Sequence, residues 1–165
     1  IMCSGDKETF NTLVPVFSVI AGKATYLGEK PGAAQTMKLA NNIISFGNLA
    51  IALEAMTLGA KAGLDAEQMI EVINSSSGRN TATEVKIPNH VLNRAFDYGA
   101  AMHIIEKDLE LWRQEAELLD APMWLGSNIR TLFRQCMTEL GRDADVTELA
   151  RTLEKMAKVE ISKAQ

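Results

Sequence analysis

The chain has 165 residues, of which 47% are hydrophobic and 23% are charged, a composition typical of a globular protein with one folded core. Its formal net charge of −4, with no cluster of lysine and arginine, argues against a nucleic-acid-binding surface. The two cysteines, Cys3 and Cys136, have neither CxxC nor Cys/His spacing. A disulfide framework or a zinc site is therefore not indicated, and we expect no metal.

The N-terminal segment predicts a strand, a helix and a second strand. The apolar start is strand-like, Asp6 is placed to cap the following helix, and Pro15 predicts a kink or a break in it. The alternating stretch "KATYLG" predicts a short strand that ends at Gly28. A lone strand–helix–strand unit leaves open sheet edges. We therefore expect residues 1–29 to be the remnant of a larger sheet domain and the sequence to be a fragment.

From Pro31 onward the sequence predicts helices throughout, which makes residues 30–165 an all-α domain. The first helix is predicted to be unusually long, from about Pro31 to Ala62. Gly47 within it predicts a close approach by another helix. Asp65 is expected to cap the next helix, which ends in a Ser/Gly turn.

The later segments continue this helical pattern. The stretch "NTATEVKIPNHVLNRAFDYG" predicts short helical pieces and loop, divided at Pro88. Two amphipathic helices are predicted next, the second starting near Pro122 and ending at Gly141. In the last helix, Asp145 and Glu148 have the spacing of a capping box.

A polar stripe interrupts the long helix. Between Lys38 and Glu54 there are 15 residues without a charge, which predicts a helix buried on nearly all sides. Within and beside this run, Lys38, Asn41, Asn42 and Ser45 stand at i, i+3, i+4 and i+7 and so share one face. A buried amide without a partner costs roughly 1–3 kcal/mol. The stripe is therefore predicted to face a cavity, a partner or a ligand.

The residues alone leave two interpretations of the stripe open. In the first, Lys38 lies in a desolvated cleft and transfers protons, while the asparagines orient a ligand. In the second, Lys38 reaches solvent at the helix start, and the asparagines bond to neighbouring helices across a core.

Four segments resemble the β-hydroxyacid dehydrogenase family. In "GAAQTMKLANN", Lys38 and Asn42 match the family's Lys-x-x-x-Asn motif. "EKDLELWRQEAELLDAPMWL" resembles its Lys-Asp-Leu helix and the turn that follows. "IMCSGD" resembles its Gly-Gly-Asp segment, with Ser4 in place of the first glycine, and "DADVTELARTLEKMA" resembles its closing helix. The likeness extends over essentially the whole chain.

The resemblance implies a fold, a cofactor and a reaction. The implied fold is a helical bundle like the C-terminal domain of 6-phosphogluconate dehydrogenase, with one long central helix, preceded by a short β-α-β remnant of a Rossmann domain. Residues 1–29 would be that remnant, and residues 30–165 the substrate-binding and dimerisation domain. NAD or NADP would be bound mainly by the absent N-terminal domain, because no GxGxxG loop occurs in this sequence. The full-length enzyme would interconvert a short 3-hydroxyacid and its semialdehyde, and the fragment alone is expected to be inactive.

The resemblance also implies roles for particular residues. Lys38 would be the catalytic general acid/base. Asn42 would hydrogen-bond the substrate, and Asn41 would add a polar substrate contact. Lys107 would reach the cofactor from the helical domain, with Asp108 beside it to orient it.

Three positions bear on specificity. Ala100 stands where the family usually has a phenylalanine near the nicotinamide. The sequence therefore does not determine the size of the substrate pocket. Ser45 stands where 6-phosphogluconate dehydrogenases have a glutamate, which argues against that activity. Arg79 is either a carboxylate- or phosphate-binding group or a surface residue at a helix terminus.

A non-enzymatic helical dimerisation or interaction module with a vestigial cleft is the competing function. We expect a homo-oligomer, dimer or tetramer, formed through the helical domain. Burial of the long apolar helix inside the full-length monomer is the competing account. Free thiols and the lack of a signal peptide predict a cytoplasmic location. The charge-free run is shorter than the roughly 20 residues of a membrane span and contains asparagines, so no membrane partner is expected.

Overall fold

A computed structural model describes residues 1–161 of the chain, which is mostly helical and contains a small two-stranded parallel sheet. In chain order the elements are β1 (Met2–Cys3), α1 (Lys7–Ile20), β2 (Thr25–Tyr26), α2 (Ala33–Lys61), α3 (Ala66–Asn74), a π-helix (Ala82–Val91), α4 (Met102–Leu118), α5 (Trp124–Leu140), a 3₁₀ turn (Val146–Glu148) and α6 (Leu149–Ala157). The chain divides into two compact units, residues 1–42 and residues from Ile43 onward, and the division falls within α2. The domain boundary expected between residues 29 and 30 lies before this helix and stays a prediction.

The first unit has the predicted strand–helix–strand order, with β1 and β2 paired in parallel. Asp6 caps α1 as predicted, because its carboxylate accepts a hydrogen bond from the backbone N–H of Thr9 at 2.7 Å. The helix then runs through Pro15, so the sequence was wrong to allow a break there. At the start of α2, Ser4 Oγ accepts a hydrogen bond from Ala34 N at 3.2 Å. The first residues of the chain thus satisfy one of the backbone donors that a helix start leaves without an internal partner.

The second unit is built around one hydrophobic core. Its fully buried members come from α2, the π-helix, α4, α5 and α6, and they include Leu49, Leu53, Met56, Ile87, Val91, Met102, Leu109, Phe133 and Leu149. Gly47 of α2 lies where α5 approaches, because a Cβ at this position would meet Ile129 Cδ1 at 2.9 Å. The close helix approach predicted at this glycine is confirmed.

Only one side of α2 is buried in the second unit. Leu49, Leu53 and Met56 are fully buried, whereas Ile44, Ile51 and Leu58 are 60–73% exposed. The expectation of a helix buried on nearly all sides was therefore wrong. The charge-free run instead supplies a core face and an exposed apolar face.

By length and composition α2 is also able to cross a membrane, with a mean hydropathy of 1.5 over its most apolar window. The core helix of a folded domain passes the same test, and 44% of this window is buried inside the structure. The asparagines of α2 also oppose insertion, because amide groups are costly in hydrocarbon.

A single π-helix replaces the short pieces that the sequence predicted around Pro88. In an α-helix, a proline loses one hydrogen bond and its ring meets the carbonyl four residues earlier. The wider i→i+5 bonding of a π-helix changes which carbonyl lies under the ring, so the helix passes through Pro88. Its buried side carries Ala82, Lys86, Ile87 and Val91.

The other predicted helix starts are confirmed. Asp65 accepts a hydrogen bond from Gln68 N at 2.9 Å at the start of α3. Asp145 and Glu148 form the predicted capping box before α6. Asp145 also accepts hydrogen bonds from the backbone N–H groups of Gly99 and Ala100, at 2.7 and 3.2 Å, and so fixes the loop before α4.

Candidate functional site

The residues of the Lys-x-x-x-Asn motif lie on α2, within the first unit. In this unit Lys38 and Asn41 are exposed and Asn42 is half-buried. Asn41 Nδ2 donates a hydrogen bond to Asn42 Oδ1 at 3.3 Å, which couples the orientations of the two amides. Helical spacing puts Lys38 and Asn42 one turn apart on the same face. The amine and the amide therefore project from the same side of the helix.

Lys107 and Asp108 form a second predicted pair, on α4 in the second unit. Lys107 Nζ lies 3.2 Å from Asp108 Oδ1, and the Lys107 side chain is 59% exposed while that of Asp108 is 5% exposed. A buried carboxylate therefore holds the position of an accessible ammonium group. Such a fixed surface cation is suited to the phosphate groups of a dinucleotide.

Lys86 is a buried cation that the sequence interpretation missed. It is 2% exposed, and its Nζ donates a hydrogen bond to Ser45 Oγ at 2.8 Å. The same nitrogen lies 5.7 Å from the ring centroid of Phe46 and 5.2 Å from that of Tyr98. Burial lowers the pKa of the Lys86 ammonium from its ordinary value. Among residues 1–161, no carboxylate lies within ion-pair distance of it.

One of the two interpretations of the polar stripe placed a desolvated lysine, Lys38, on the long helix. Within its own unit Lys38 is exposed, and Lys86 is the buried lysine. Dividing the segment at Pro88 removed the periodicity that would have found Lys86. In the intact π-helix it lies on the same side as Ala82, Ile87 and Val91. A lysine among these apolar residues was the sequence feature that could have identified Lys86 as buried.

The positions that bear on specificity have simple surroundings. Arg79 is 64% exposed and pairs with Glu84 at 3.4 Å, as a surface residue would. Ala100 is half-buried and packs against the core, with its backbone held by Asp145. Within the part of the chain that the structure describes, no group of three or more His, Cys, Asp or Glu is arranged to hold a metal ion.

Comparison with known proteins places this architecture in a family. Residues 32–153 match the family described as "NAD-binding of NADP-dependent 3-hydroxyisobutyrate dehydrogenase", which is most of the chain. The chain belongs to this family. The match covers α2 through most of α6 and so includes both lysine motifs.

Individual relatives agree with the family. The chain is 33% identical over its whole length to 2-(hydroxymethyl)glutarate dehydrogenase of Eubacterium barkeri, covering 54% of that protein. The structure of Mycobacterium tuberculosis 3-hydroxyisobutyrate dehydrogenase, solved with L-serine, matches with a TM-score of 0.83 and 27% identity, over 91% of this chain and 53% of that one. The structure of Psf3 in complex with NADP+ and 2-OPP matches with a TM-score of 0.80 and 27% identity, over 92% of this chain and 52% of that one. The chain thus spans about half the length of the curated relatives it matches.

Proposed function

We propose that this chain is the helical substrate-binding part of an NAD(P)-dependent oxidoreductase that interconverts a short 3-hydroxyacid and its semialdehyde. The observation that carries the proposal is the family match across residues 32–153, which contains Lys38 and Asn42 on one face of α2. The similar proteins are named for 2-(hydroxymethyl)glutarate and 3-hydroxyisobutyrate, and both compounds combine a carboxylate with a hydroxyl group.

Lys38 is the proposed general acid/base. As an amine it accepts the proton of the substrate hydroxyl during oxidation, and as an ammonium it returns a proton to the carbonyl oxygen during reduction. Asn42 hydrogen-bonds the reacting oxygen and holds it near Lys38, a positioning role, and Asn41 fixes the Asn42 amide. The nicotinamide cofactor supplies the hydride acceptor or donor.

Lys107 is the proposed cofactor contact of this chain. Its ammonium is accessible and is held by the buried carboxylate of Asp108, which fits the anionic part of a dinucleotide. A glycine-rich phosphate loop would have to come from a further domain, because the sequence contains no GxGxxG. We therefore propose that a Rossmann domain provides most of the cofactor site, that the bundle resembles the C-terminal domain of 6-phosphogluconate dehydrogenase, and that this chain alone has no useful turnover.

The exposed apolar face of α2 supports the proposed homo-oligomer. Ile44, Ile51 and Leu58 follow one another at intervals of seven residues and are all well exposed. Ile44 and Ile51, together with α5, border an apolar groove of about 530 Å³. A surface of this kind is typical of a contact with another chain.

The test is the substitution Lys38→Met in the natural full-length protein. We expect kcat for a short 3-hydroxyacid to fall by roughly 10²–10⁴-fold with the fold intact, because general acid/base groups contribute on this order. Lys61→Met is the matched control, since Lys61 is an exposed lysine on the same helix, and it should leave kcat unchanged. Steady-state kinetics with both cofactors, together with circular dichroism, make the measurement.

Two results would count against the proposal. Full activity in the Lys38→Met protein would remove Lys38 from the chemistry. No activity of the parent protein with any short hydroxyacid would favour the non-enzymatic interaction module instead.

A further inference from the structure

Lys86 has no role in the proposed reaction, yet its burial needs a physical explanation. An ammonium taken out of water needs a compensating charge or several hydrogen bonds. Lys86 is 2% exposed and has one hydrogen bond, to Ser45 Oγ at 2.8 Å, with the faces of Phe46 and Tyr98 nearby. Cation–π contacts of this kind contribute less than the desolvation of an ion costs. The pocket is therefore short of negative charge.

The direction of the hydrogen bond determines what Ser45 offers. A lysine ammonium has only donors, so Ser45 Oγ must be the acceptor. The hydroxyl hydrogen of Ser45 must then point away from Lys86. Ser45 is half-buried, so part of this residue is in contact with solvent. It thus presents a polarised O–H donor with a positive charge directly behind it.

We propose that Ser45 and Lys86 form an anion subsite for the carboxylate of a small organic acid. Ser45 donates the hydrogen bond to a carboxylate oxygen, and Lys86 is a positioning residue that orients Ser45 and supplies the positive charge. The identification of this anion with the substrate carboxylate rests on the proposed function; the binding of an anion does not.

The binding test uses propionate as the probe and propionamide, of the same shape but uncharged, as its control. In the natural full-length protein, Ser45→Ala and Lys86→Met should each weaken propionate binding by about tenfold or more, because hydrogen bonds to charged groups have this strength. Propionamide binding should change by less than about twofold on the same scale. Isothermal titration calorimetry measures both, and no turnover is needed.

Coupling between the two residues is the second measurement. Because Lys86 acts through Ser45, the double variant should bind propionate about as weakly as the weaker single variant. Ser127→Ala is the matched control, since Ser127 is an exposed serine on α5, and it should leave propionate affinity unchanged. In kinetics with a hydroxyacid, Ser45→Ala should raise KM with little change in kcat, which general damage to the fold would not do.

The outcomes separate the two proposals. Propionate binding that is equal in the parent and in Ser45→Ala overturns the anion subsite, whether or not the enzyme is active. If Lys86→Met does not fold, Ser45→Ala alone decides. If the parent protein binds propionate and Ser45→Ala does not, but the parent has no dehydrogenase activity, the anion subsite is supported and the proposed function is removed.

Discussion

Lys86 and Arg94 show two ways in which this chain accommodates a buried or half-buried cation. Lys86 has a hydroxyl and two aromatic rings around it. Arg94 instead forms two hydrogen bonds with Glu154, at 2.6 and 3.0 Å, and the Glu154 side chain is only 8% exposed. Glu154 also accepts a hydrogen bond from the backbone N–H of Ile161 at 2.8 Å. The charges of the Arg94–Glu154 pair compensate each other, which indicates a structural role. The charge of Lys86 has no such compensation.

Removing Arg94 should therefore be costly. We expect Arg94→Met to lower the free energy of unfolding by about 3 kcal/mol, because it leaves the buried Glu154 carboxylate without its partner. Urea denaturation followed by circular dichroism measures this. Arg79→Met is the control, since the Arg79–Glu84 pair is exposed and should contribute less than about 1 kcal/mol. Equal stability of the two variants would contradict a structural role for the Arg94–Glu154 pair.

At the scale of elements, Asp145 joins two segments that are distant in sequence. Its carboxylate caps the 3₁₀ turn before α6 and also binds the backbone of Gly99 and Ala100 before α4. Burial raises the pKa of Asp145, but the hydrogen bonds from Thr147, Gly99 and Ala100 outweigh it, so the net pKa lies below the ordinary value of 3.8. The ionised form is thus the one that the fold stabilises.

A pH-dependent loss of stability follows from this lowered pKa. Asp145→Ala should cost about 1–2 kcal/mol at pH 7, as for other lost caps. Because the folded pKa lies below the unfolded one, this contribution is complete above pH 3.8 and is lost as the pH falls through the folded pKa. Denaturation of the parent and variant between pH 7 and about pH 2.5 should show the two curves converging. Asp145→Asn keeps a hydrogen-bond acceptor at the cap and serves as the control. A difference in the free energy of unfolding between the parent and Asp145→Ala that stays constant with pH would contradict the role of the ionised Asp145 carboxylate.

Local sequence rules predicted the parts of the fold that local chemistry determines. The caps at Asp6, Asp65 and Asp145 depend on a side chain and a backbone N–H a few residues away, so they were visible in the sequence. A break at Pro15 and a division at Pro88 were wrong, because both helices continue through the proline in their tertiary context, whereas a kink at Pro15 stays a prediction. The exposed residues Ile44, Ile51 and Leu58 look like core residues in sequence, and only the packing shows which face is covered.

The candidate site was predictable to a different extent. Lys38 and Asn42 were found through the polar stripe and the family motif together, Lys107 through the family motif alone, and their roles stay predictions. The family resemblance implied that Asp108 orients Lys107, and the two side chains are in contact. Lys86 was missed because its environment is created by α2 and the π-helix together, and no single segment contains that information.

At the scale of the whole molecule, the exposed apolar face of α2 bears on assembly. Ile44, Ile51 and Leu58, together with Trp124 (86% exposed) and Leu125 (77% exposed) of α5, leave a large apolar area uncovered. Removing such an area from water would stabilise an interface by about 25 cal/mol per Å² before the costs of association.

A single charge on the exposed apolar face of α2 should therefore change the molecular mass of the assembly in solution. We expect Ile51→Glu in the natural full-length protein to shift an oligomer towards the protomer, because a carboxylate is costly in an apolar interface. Size-exclusion chromatography with light scattering measures the mass. Val72→Glu is the control, since Val72 is 63% exposed on α3 and lies outside this face. An unchanged oligomer in both variants would place the interface elsewhere.

The π-helix has a consequence for how relatives of this chain diverge. One residue inserted into or removed from a helix rotates the side chains beyond it, relative to those before it, by roughly a quarter of a turn. A length change of one residue within Ala82–Val91 would thus swing Lys86 out of the core, or bring another side chain to Ser45. Evolution can therefore gain or lose a buried cation here by a single-codon insertion or deletion, without any substitution. Homologues that differ at this point are better aligned by three-dimensional position than by residue count.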